Sequence, residues 1–273
     1  KMFSICVSLD GPKEINDMQR YSGEISAHDQ AIMTIERLKS NKIPFSVKCT
    51  ATKSSIAKLV EISEYLNTLG ADSMAFAPAD MIPQSGKILL LSESEIEIFS
   101  NKLTEILLNN LNQLSSGNMA TVVSPIFDIL SHLVTKTRAI HNCSAGREYI
   151  AVTADGDVYP CHEFVGIEGF KMGNVNDKDF PGEAYDRIKY MFKSHSIYAF
   201  EECTSCWARF LCGGECAVRS YVQNGDLFRP TKKRCIIIKS ILEAILPEIV
   251  EIFQDKNKMQ NIMNLFKEYT HGR

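Results

Sequence analysis

Apolar and polar residues alternate strictly along Phe3-Ser4-Ile5-Cys6-Val7-Ser8-Leu9, the period of a half-buried strand. Asp10-Gly11-Pro12 ends that run as a turn. Over residues 26–40 the period lengthens to that of a helix, with Ala31, Ile32, Ile35 and Leu38 on one face. Ser26 is a natural N-cap, and Asp29 stands where a capping box needs an acid. A second strand follows at 43–50, then a helix at 53–69 stopped by Gly70, then a short strand at 73–77. Strands joined by helical crossovers predict parallel pairing in an α/β sheet or barrel. Beyond a loop at 79–86, helices are expected at 92–113 and 125–135, and two more at 236–246 and 247–269. The stretch from Glu248 to Lys267 reads as a solvated amphipathic face.

The two faces of these strands differ. Phe3, Ile5, Val7 and Leu9 point one way, while Ser4, Cys6, Ser8 and Asp10 point the other. In the second strand Phe45, Val47 and Cys49 oppose Ser46, Lys48 and Thr50. A parallel sheet covered on both sides is apolar on both faces. A repeatedly polar face instead predicts a barrel or half-barrel whose lumen holds a polar ligand near the strands' C-terminal ends. So few strands cannot close a barrel, so further strands are expected before Lys1.

Composition narrows the class. With 45% hydrophobic and 23% charged residues in 273, the chain can bury a sizeable core. A net charge of −3 lacks the basic excess of a nucleic-acid-binding domain. No apolar run approaches the ~18 residues of a membrane span, and no signal-peptide pattern is present. The nine cysteines change the picture most: Cys6 and Cys49 stand apart, and the rest fall between Cys143 and Cys235. The two outliers read as small packing residues.

The clustered cysteines follow a spacing. Cys143 is separated by twelve residues from Gly156, which precedes Cys161 by a further four. Cys203-X2-Cys206-X5-Cys212-X3-Cys216 follows, and Cys235 closes the series. Asp155-Gly156 is a hairpin turn signal that brings Cys161 back toward its partners. Gly213-Gly214 lets the backbone wrap closely. Disulfides need an oxidising compartment and an even count. Zinc takes four sulfurs and leaves three over. Iron–sulfur clusters also take four each, so seven cysteines make one complete set and one with an open position.

This pattern resembles the SPASM domain of radical S-adenosylmethionine (radical SAM) enzymes, with all seven cysteines and Gly156 in register. Upstream, Val7-Ser8-Leu9-Asp10-Gly11-Pro12 resembles the fourth barrel strand of that family, and the stretch from Asp17 through Arg20 to Gly23 its following loop. The resemblance implies an α/β fold. It consists of the C-terminal part of a partial (β/α)6 radical SAM barrel over 1–135, a Cys-rich SPASM domain over 136–246 and a C-terminal helix over 247–273. It implies two auxiliary [4Fe–4S] clusters, one on Cys143, Cys161 and Cys216, the other on Cys203, Cys206, Cys212 and Cys235. Some relatives carry a cysteine six residues after the first; here Tyr149 stands there. That leaves an iron position open to a substrate thiol or to His141, His162 or Glu163.

The run from Val158 through Cys161-His162-Glu163 to Val175 is similar to peptide maturases that install thioether crosslinks from cysteine sulfur. Sulfatase-maturing relatives have an acid directly after the second cysteine, where this chain has His162. Carbon–carbon crosslinking, formylglycine formation, or a non-catalytic electron-transfer or peptide-binding module are the alternatives. The resemblance further implies a precursor peptide as substrate, an electron donor such as a flavodoxin or ferredoxin, and a cytoplasmic setting. Ser8, Asp10, Arg20 and Lys48 are the candidate contacts to S-adenosylmethionine, with Asp10 also able to shape the turn. His162 and Glu163 are the candidate acid–base pair, and Trp207 is read as a cluster shield. The family's C-X3-C-X2-C, which binds a third [4Fe–4S] cluster, is absent: Arg219 falls where Cys212-X3-Cys216 would need its third cysteine. The chain alone is therefore not expected to cleave S-adenosylmethionine.

Overall fold

The computed structural model describes residues 5–20, 23–79, 91–118 and 121–271. Phe3, Ser4 and nearly all of the loop expected at 79–86 lie outside them. The described residues divide into two compact units: those up to 79, those from 91 to 137 and those from 239 to 271 form the first, and 138–238 the second.

In the first unit β1 (Ile5–Ser8), β2 (Phe45–Ala51), β3 (Ser73–Pro78) and β4 (Val122–Val123) pair in parallel in that order. Cys6 stands opposite Ser46, Ser8 opposite Lys48, and Lys48 opposite Ala75. The alternation read from the sequence holds. Phe45, Val47, Cys49 and Ala51 are buried, whereas Lys48 is exposed and Ser46 and Thr50 are half-buried. Cys6 follows the same alternation and is exposed beside Ser8, so it is not a packing residue, while Cys49 is.

The helices are α1 (Lys13–Gln19), α2 (Ala27–Ser40), α3 (Leu59–Asn67), α4 (Glu93–Ser115) and α5 (Ile126–Thr135). Ser26 Oγ accepts the Asp29 N–H at 3.1 Å, but the Asp29 carboxylate pairs with Lys13 instead of closing the box. The complete capping box is at α4, where Ser92 and Glu95 satisfy each other's backbone N–H. Asn110 Nδ2 donates to the Thr121 carbonyl and its Oδ1 accepts the Val123 N–H, both at 2.9 Å, which pins the short β4 to α4.

At the C-terminus α9 (Lys232–Gln254) runs straight through Pro247, and α10 (Lys256–His271) starts after Asp255. Asp255 Oδ1 accepts the N–H groups of Asn257 and Lys258, so the break falls at this cap and not at the proline. Residues 247–273, expected as a separate segment, group with the first unit. Ile262 is fully buried, Asn261 Nδ2 donates to the Ser115 carbonyl at 2.9 Å, and Phe266 stacks on Phe127.

The second unit is built from little regular structure. β5 (Ala151–Val152), β6 (Asp157–Tyr159) and β7 (Gly173–Asn174) form a three-stranded antiparallel sheet. α6 (Glu183–Ser194), α7 (Arg209–Cys212) and α8 (Ala217–Asn224) complete it with the start of α9. Gly156 turns between β5 and β6 with φ +86°, and a Cβ there would stand 2.6 Å from Asn176 Nδ2.

Candidate functional site

The clustered cysteines of the second unit fall into two neighbourhoods. Cys143 lies just before the Ala145–Tyr149 bridge, Cys161 opens the short helix His162–Phe164, and Cys216 is the N-cap residue of α8. These sulfurs are all near enough to the phenol of Tyr149 to act on it. Burial, then the nearness of Cys143, Cys161 and Cys216, pushes that phenol above its usual range. Its hydroxyl is 3.9 Å from Cys143 Sγ.

Each sulfur of this set is also faced by backbone N–H groups. Ala145 N donates to Cys143 Sγ at 3.4 Å. Burial raises the Cys161 thiol, while the N–H groups of Glu163 and Phe164 oppose the rise. Burial pushes Cys216 up to about 11, opposed by the Arg219 N–H and guanidinium and by the Val218 N–H. Converging N–H groups favour a thiolate. Burial nonetheless keeps Cys161 and Cys216 protonated at neutral pH until a metal centre supplies positive charge.

The other set contains Cys203, which ends the short helix Glu201–Cys203, then Cys206, Cys212 at the end of α7, and Cys235 in the first turn of α9. Burial first, then the nearness of Cys212, Cys235 and Cys206, pushes the Cys203 thiol up to about 12. Gly213, with φ +71°, leads the chain away from Cys212, and a Cβ there would meet the His141 carbonyl oxygen at 2.9 Å. Among the described residues no three His, Cys, Asp or Glu side chains are arranged to hold a single metal ion.

Each set lies against its own apolar cluster. Cys161 belongs to a buried group with Val158, Phe164, Phe170, Met172, Ile188 and Phe192, and Cys143 and Cys216 pack on it. Cys203 is buried with Ile197 and Phe200. Phe228 packs against both groups. All-sulfur donor sets beside apolar walls fit soft-metal or iron–sulfur ligation.

The remaining candidates are distributed less favourably. His162 and Glu163 are both exposed, with Nε2 and Oε1 3.8 Å apart, next to Cys161. His141 Nδ1 is engaged with the His195 carbonyl at 2.9 Å. The group that faces the three-cysteine set is therefore Tyr149, which sequence reasoning treated only as a missing cysteine. Trp207 is about half exposed. In the first unit Ser8 and Lys48 share the open face of the sheet. Asp10 is buried and accepts Arg20 Nε at 2.7 Å, Arg20 Nη2 at 3.0 Å and the Thr50 N–H at 2.8 Å. Asp10 and Arg20 thus serve each other first, and the turn-shaping role of Asp10 is the one the geometry displays.

Comparison with known proteins places this geometry. Residues 143–207 match the SPASM family, an iron–sulfur cluster-binding domain. The "cysteine-type anaerobic sulfatase-maturating enzyme" of Clostridium novyi is 24% identical over 221 residues, covering 78% of this chain and 57% of its own length. A solved structure of native anSMEcpe with bound AdoMet and Kp18Cys peptide superposes with TM-score 0.70 at 21% identity, covering 92% of this chain and 69% of that one. Streptococcus suis SuiB bound to S-adenosylmethionine superposes with TM-score 0.53 at 16% identity, covering 85% and 54%. This chain thus has the fold of radical SAM maturases with a SPASM domain. It spans about half the length of the curated relatives it matches, 53% and 57% for two of them. Among the described residues no helix is long and apolar enough to cross a membrane.

Proposed function

We propose that this chain carries the later barrel strands and the auxiliary cluster domain of a radical SAM peptide maturase, one that links a cysteine sulfur to a carbon of a ribosomally made peptide. The observation that carries the reading is the sorting of the clustered cysteines into a set of three near Tyr149 and a set of four near Cys203, with Cys143, Cys161, Cys203 and Cys206 inside the segment that matches an iron–sulfur domain. In this reading Cys143, Cys161 and Cys216 hold one [4Fe–4S] cluster, and Cys203, Cys206, Cys212 and Cys235 hold the other. When bound, these groups supply sites that accept an electron or anchor a peptide, and S-adenosylmethionine with a third cluster supplies the hydrogen-abstracting radical.

The chain's own residues then have separate tasks. The backbone N–H groups at Cys143, Cys161 and Cys216 keep the sulfurs as thiolates once a cation is present. The apolar clusters bury Cys161 and Cys203, one cysteine of each set. His162 and Glu163, exposed beside Cys161, are positioned to move a proton at the Nε2 or carboxylate oxygen facing solvent. Ser8 and Lys48 offer a hydroxyl and an ammonium on the open face of the sheet for a polar, carboxylate-bearing cofactor. A peptide substrate is supported by the peptide held in the anSMEcpe structure, and a flavodoxin or ferredoxin is the class of electron donor such chemistry needs.

Formylglycine formation is the second reading, favoured by the likeness to the sulfatase-maturating enzyme of Clostridium novyi. The residue after Cys161 separates the two readings, being His162 rather than an acid. The primary test is anaerobic reconstitution of the chain with equal amounts of ferrous and ferric iron and sulfide. Two clusters give a brown protein with about eight irons per chain. A colourless protein that binds zinc in preference to iron would overturn the reading. Mass spectrometry of a cysteine-bearing peptide treated with the complete enzyme then separates a loss of two hydrogens in a thioether from aldehyde formation.

A further inference from the structure

Two hydrogen-bonded ties join the cysteine sets within residues 138–238. The first runs through Glu215, which is 1% exposed and lies in the loop between Cys212 of one set and Cys216 of the other. Its Oε1 accepts the backbone N–H of Cys216 at 2.8 Å. Its Oε2 accepts the Thr231 hydroxyl at 2.6 Å and the Thr231 N–H at 3.3 Å. Thr231 in turn caps the first turn of α9. Its Oγ1 accepts the Arg234 N–H at 3.3 Å, and its carbonyl accepts the Cys235 N–H at 3.3 Å. One carboxylate therefore holds the backbone of a first-set cysteine and the cap of the turn that carries a second-set cysteine.

The second tie is Arg234 Nη2, which donates to Asn142 Oδ1 at 2.9 Å. Asn142 precedes Cys143, and Arg234 precedes Cys235. Arg234 Nε is buried with no partner among the described residues, a donor left facing the protein interior. The ties thus reach both sets: Cys143 and Cys216 on one side, Cys235 on the other. Among the described residues Glu215 is the one buried acid of this unit. A carboxylate in such a place stays only if its oxygens are satisfied, so its partners are held as firmly as it is.

Metal binding to a cysteine set must order the backbone that carries it, and that ordering is part of the binding free energy. Here the ordering is shared. Fixing Cys216 fixes Glu215, and through Thr231 it fixes the turn that presents Cys235. Fixing Cys235 orders Arg234 and with it the Asn142–Cys143 step. The second set to fill then finds its backbone already arranged.

We propose that the Glu215–Thr231 and Arg234–Asn142 ties make the two cysteine sets load their iron–sulfur clusters cooperatively, so that filling either set raises the affinity of the other. The proposal rests on the cluster reading given above, and the test separates their failures.

The test is native mass spectrometry of the whole 273-residue chain during anaerobic titration with equal amounts of ferrous and ferric iron and sulfide. For two independent sites of equal affinity, the singly loaded species is about half of the population at half saturation; a coupling of ~100-fold reduces it to about a tenth. The expected result is a small singly loaded fraction in the unaltered chain, rising toward half in Thr231→Val and Arg234→Met. Thr231→Ser keeps the hydroxyl and should restore the small fraction. Glu215→Gln retains the shape but loses charge against its donors, and should fall between. Far-UV circular dichroism of each metal-free variant shows whether its fold is retained.

A large singly loaded fraction in the unaltered chain overturns the proposal. So does cooperative loading that persists in both Thr231→Val and Arg234→Met. Failure of the unaltered chain to take up iron at all overturns the cluster reading itself.

Discussion

Replacing Asp10 with alanine removes the acceptor for three donors at once: Arg20 Nε, Arg20 Nη2 and the Thr50 N–H. Asp10 is buried and the Arg20 side chain is about a third exposed. Breaking a fully buried pair costs roughly 3–5 kcal/mol, and the partial exposure of Arg20 puts this case near the lower figure, at ~3 kcal/mol. The cost has two origins, a guanidinium left near a closed interior and an unpaired N–H at the end of β2. Chemical denaturation of Asp10→Ala, Arg20→Ala and the double variant forms a cycle that isolates the pair, with an expected coupling of ~2 kcal/mol. Hydrogen exchange at the Thr50 amide should accelerate in Asp10→Ala and remain slow in Arg20→Ala, because only the first removes its acceptor. A coupling below ~0.5 kcal/mol, within ordinary additivity, would refute the argument that these groups serve each other. It would return Arg20 to the role the sequence suggested, as a free cation for a cofactor carboxylate.

Ser92→Ala should destabilise the first unit by ~1 kcal/mol through loss of the α4 cap. Backbone and side-chain bonds from Ser92 and the Lys53 pair hold the Glu95 carboxyl down at about 2, so its contribution is present above pH 4.5 and is lost as pH falls toward 2. The difference between Ser92→Ala and the unaltered chain in denaturant midpoint should therefore shrink across that window. Burial first holds His195 down at about 4 from an ordinary 6.5, so the folded state favours the neutral ring. The second unit should lose ~3 kcal/mol as pH falls from 6.5 to 4, followed by the fluorescence of Trp207, and His195→Phe should flatten that limb. Gly213→Ala places a Cβ 2.9 Å from the His141 carbonyl oxygen at a φ of +71°. It should cost at least ~2 kcal/mol by the same fluorescence measurement and lower iron uptake with it.

The first unit was legible because its elements are long enough to show a period. The alternation in Phe45–Ala51 and the stripe of Ile35 and Leu38 in α2 are visible without coordinates. Short elements carry no such signal. β4 has two residues, and nothing in Val122–Val123 distinguishes an edge strand from a buried turn. Asp10 lies past the last residue of β1, so the alternation that assigned it to the open face no longer governs it. Cys6 follows the alternation and not its residue type: the pattern that governs β1 puts it beside Ser8 on the exposed face. At Pro247 local chemistry argued for a break, but Ile241, Leu242, Ile245, Ile249 and Ile252 are all buried and carry the helix past it. In the second unit the cysteine spacing was readable, whereas Glu215 and Arg234 were not. Their importance comes from partners 16 and 92 residues away, a separation that no local pattern records.

The two sets also differ in what surrounds them, and this bears on how each can act. The three-cysteine set adjoins the larger apolar cluster, where Phe164, Phe170, Phe192 and Tyr221 interlock in tilted and edge-to-face pairs, with ring centroids 4.4–6.3 Å apart. That wall holds Cys161 and Cys216 by packing, independently of any metal. The four-cysteine set has a thinner wall of Ile197 and Phe200, with Phe210 and Phe228 at its margin. Its cysteines come from two very short helices, the connection between them and the first turn of α9, elements that make few bonds of their own. In the cluster reading the second set therefore draws more of its order from metal binding and from the ties to its neighbour than the first does. The proposed coupling is reciprocal, equal in free energy whichever set fills first. What differs is where the order is gained: the packed set, near Tyr149, already has a fixed edge, and the loosely framed set is the one whose backbone the ties arrange.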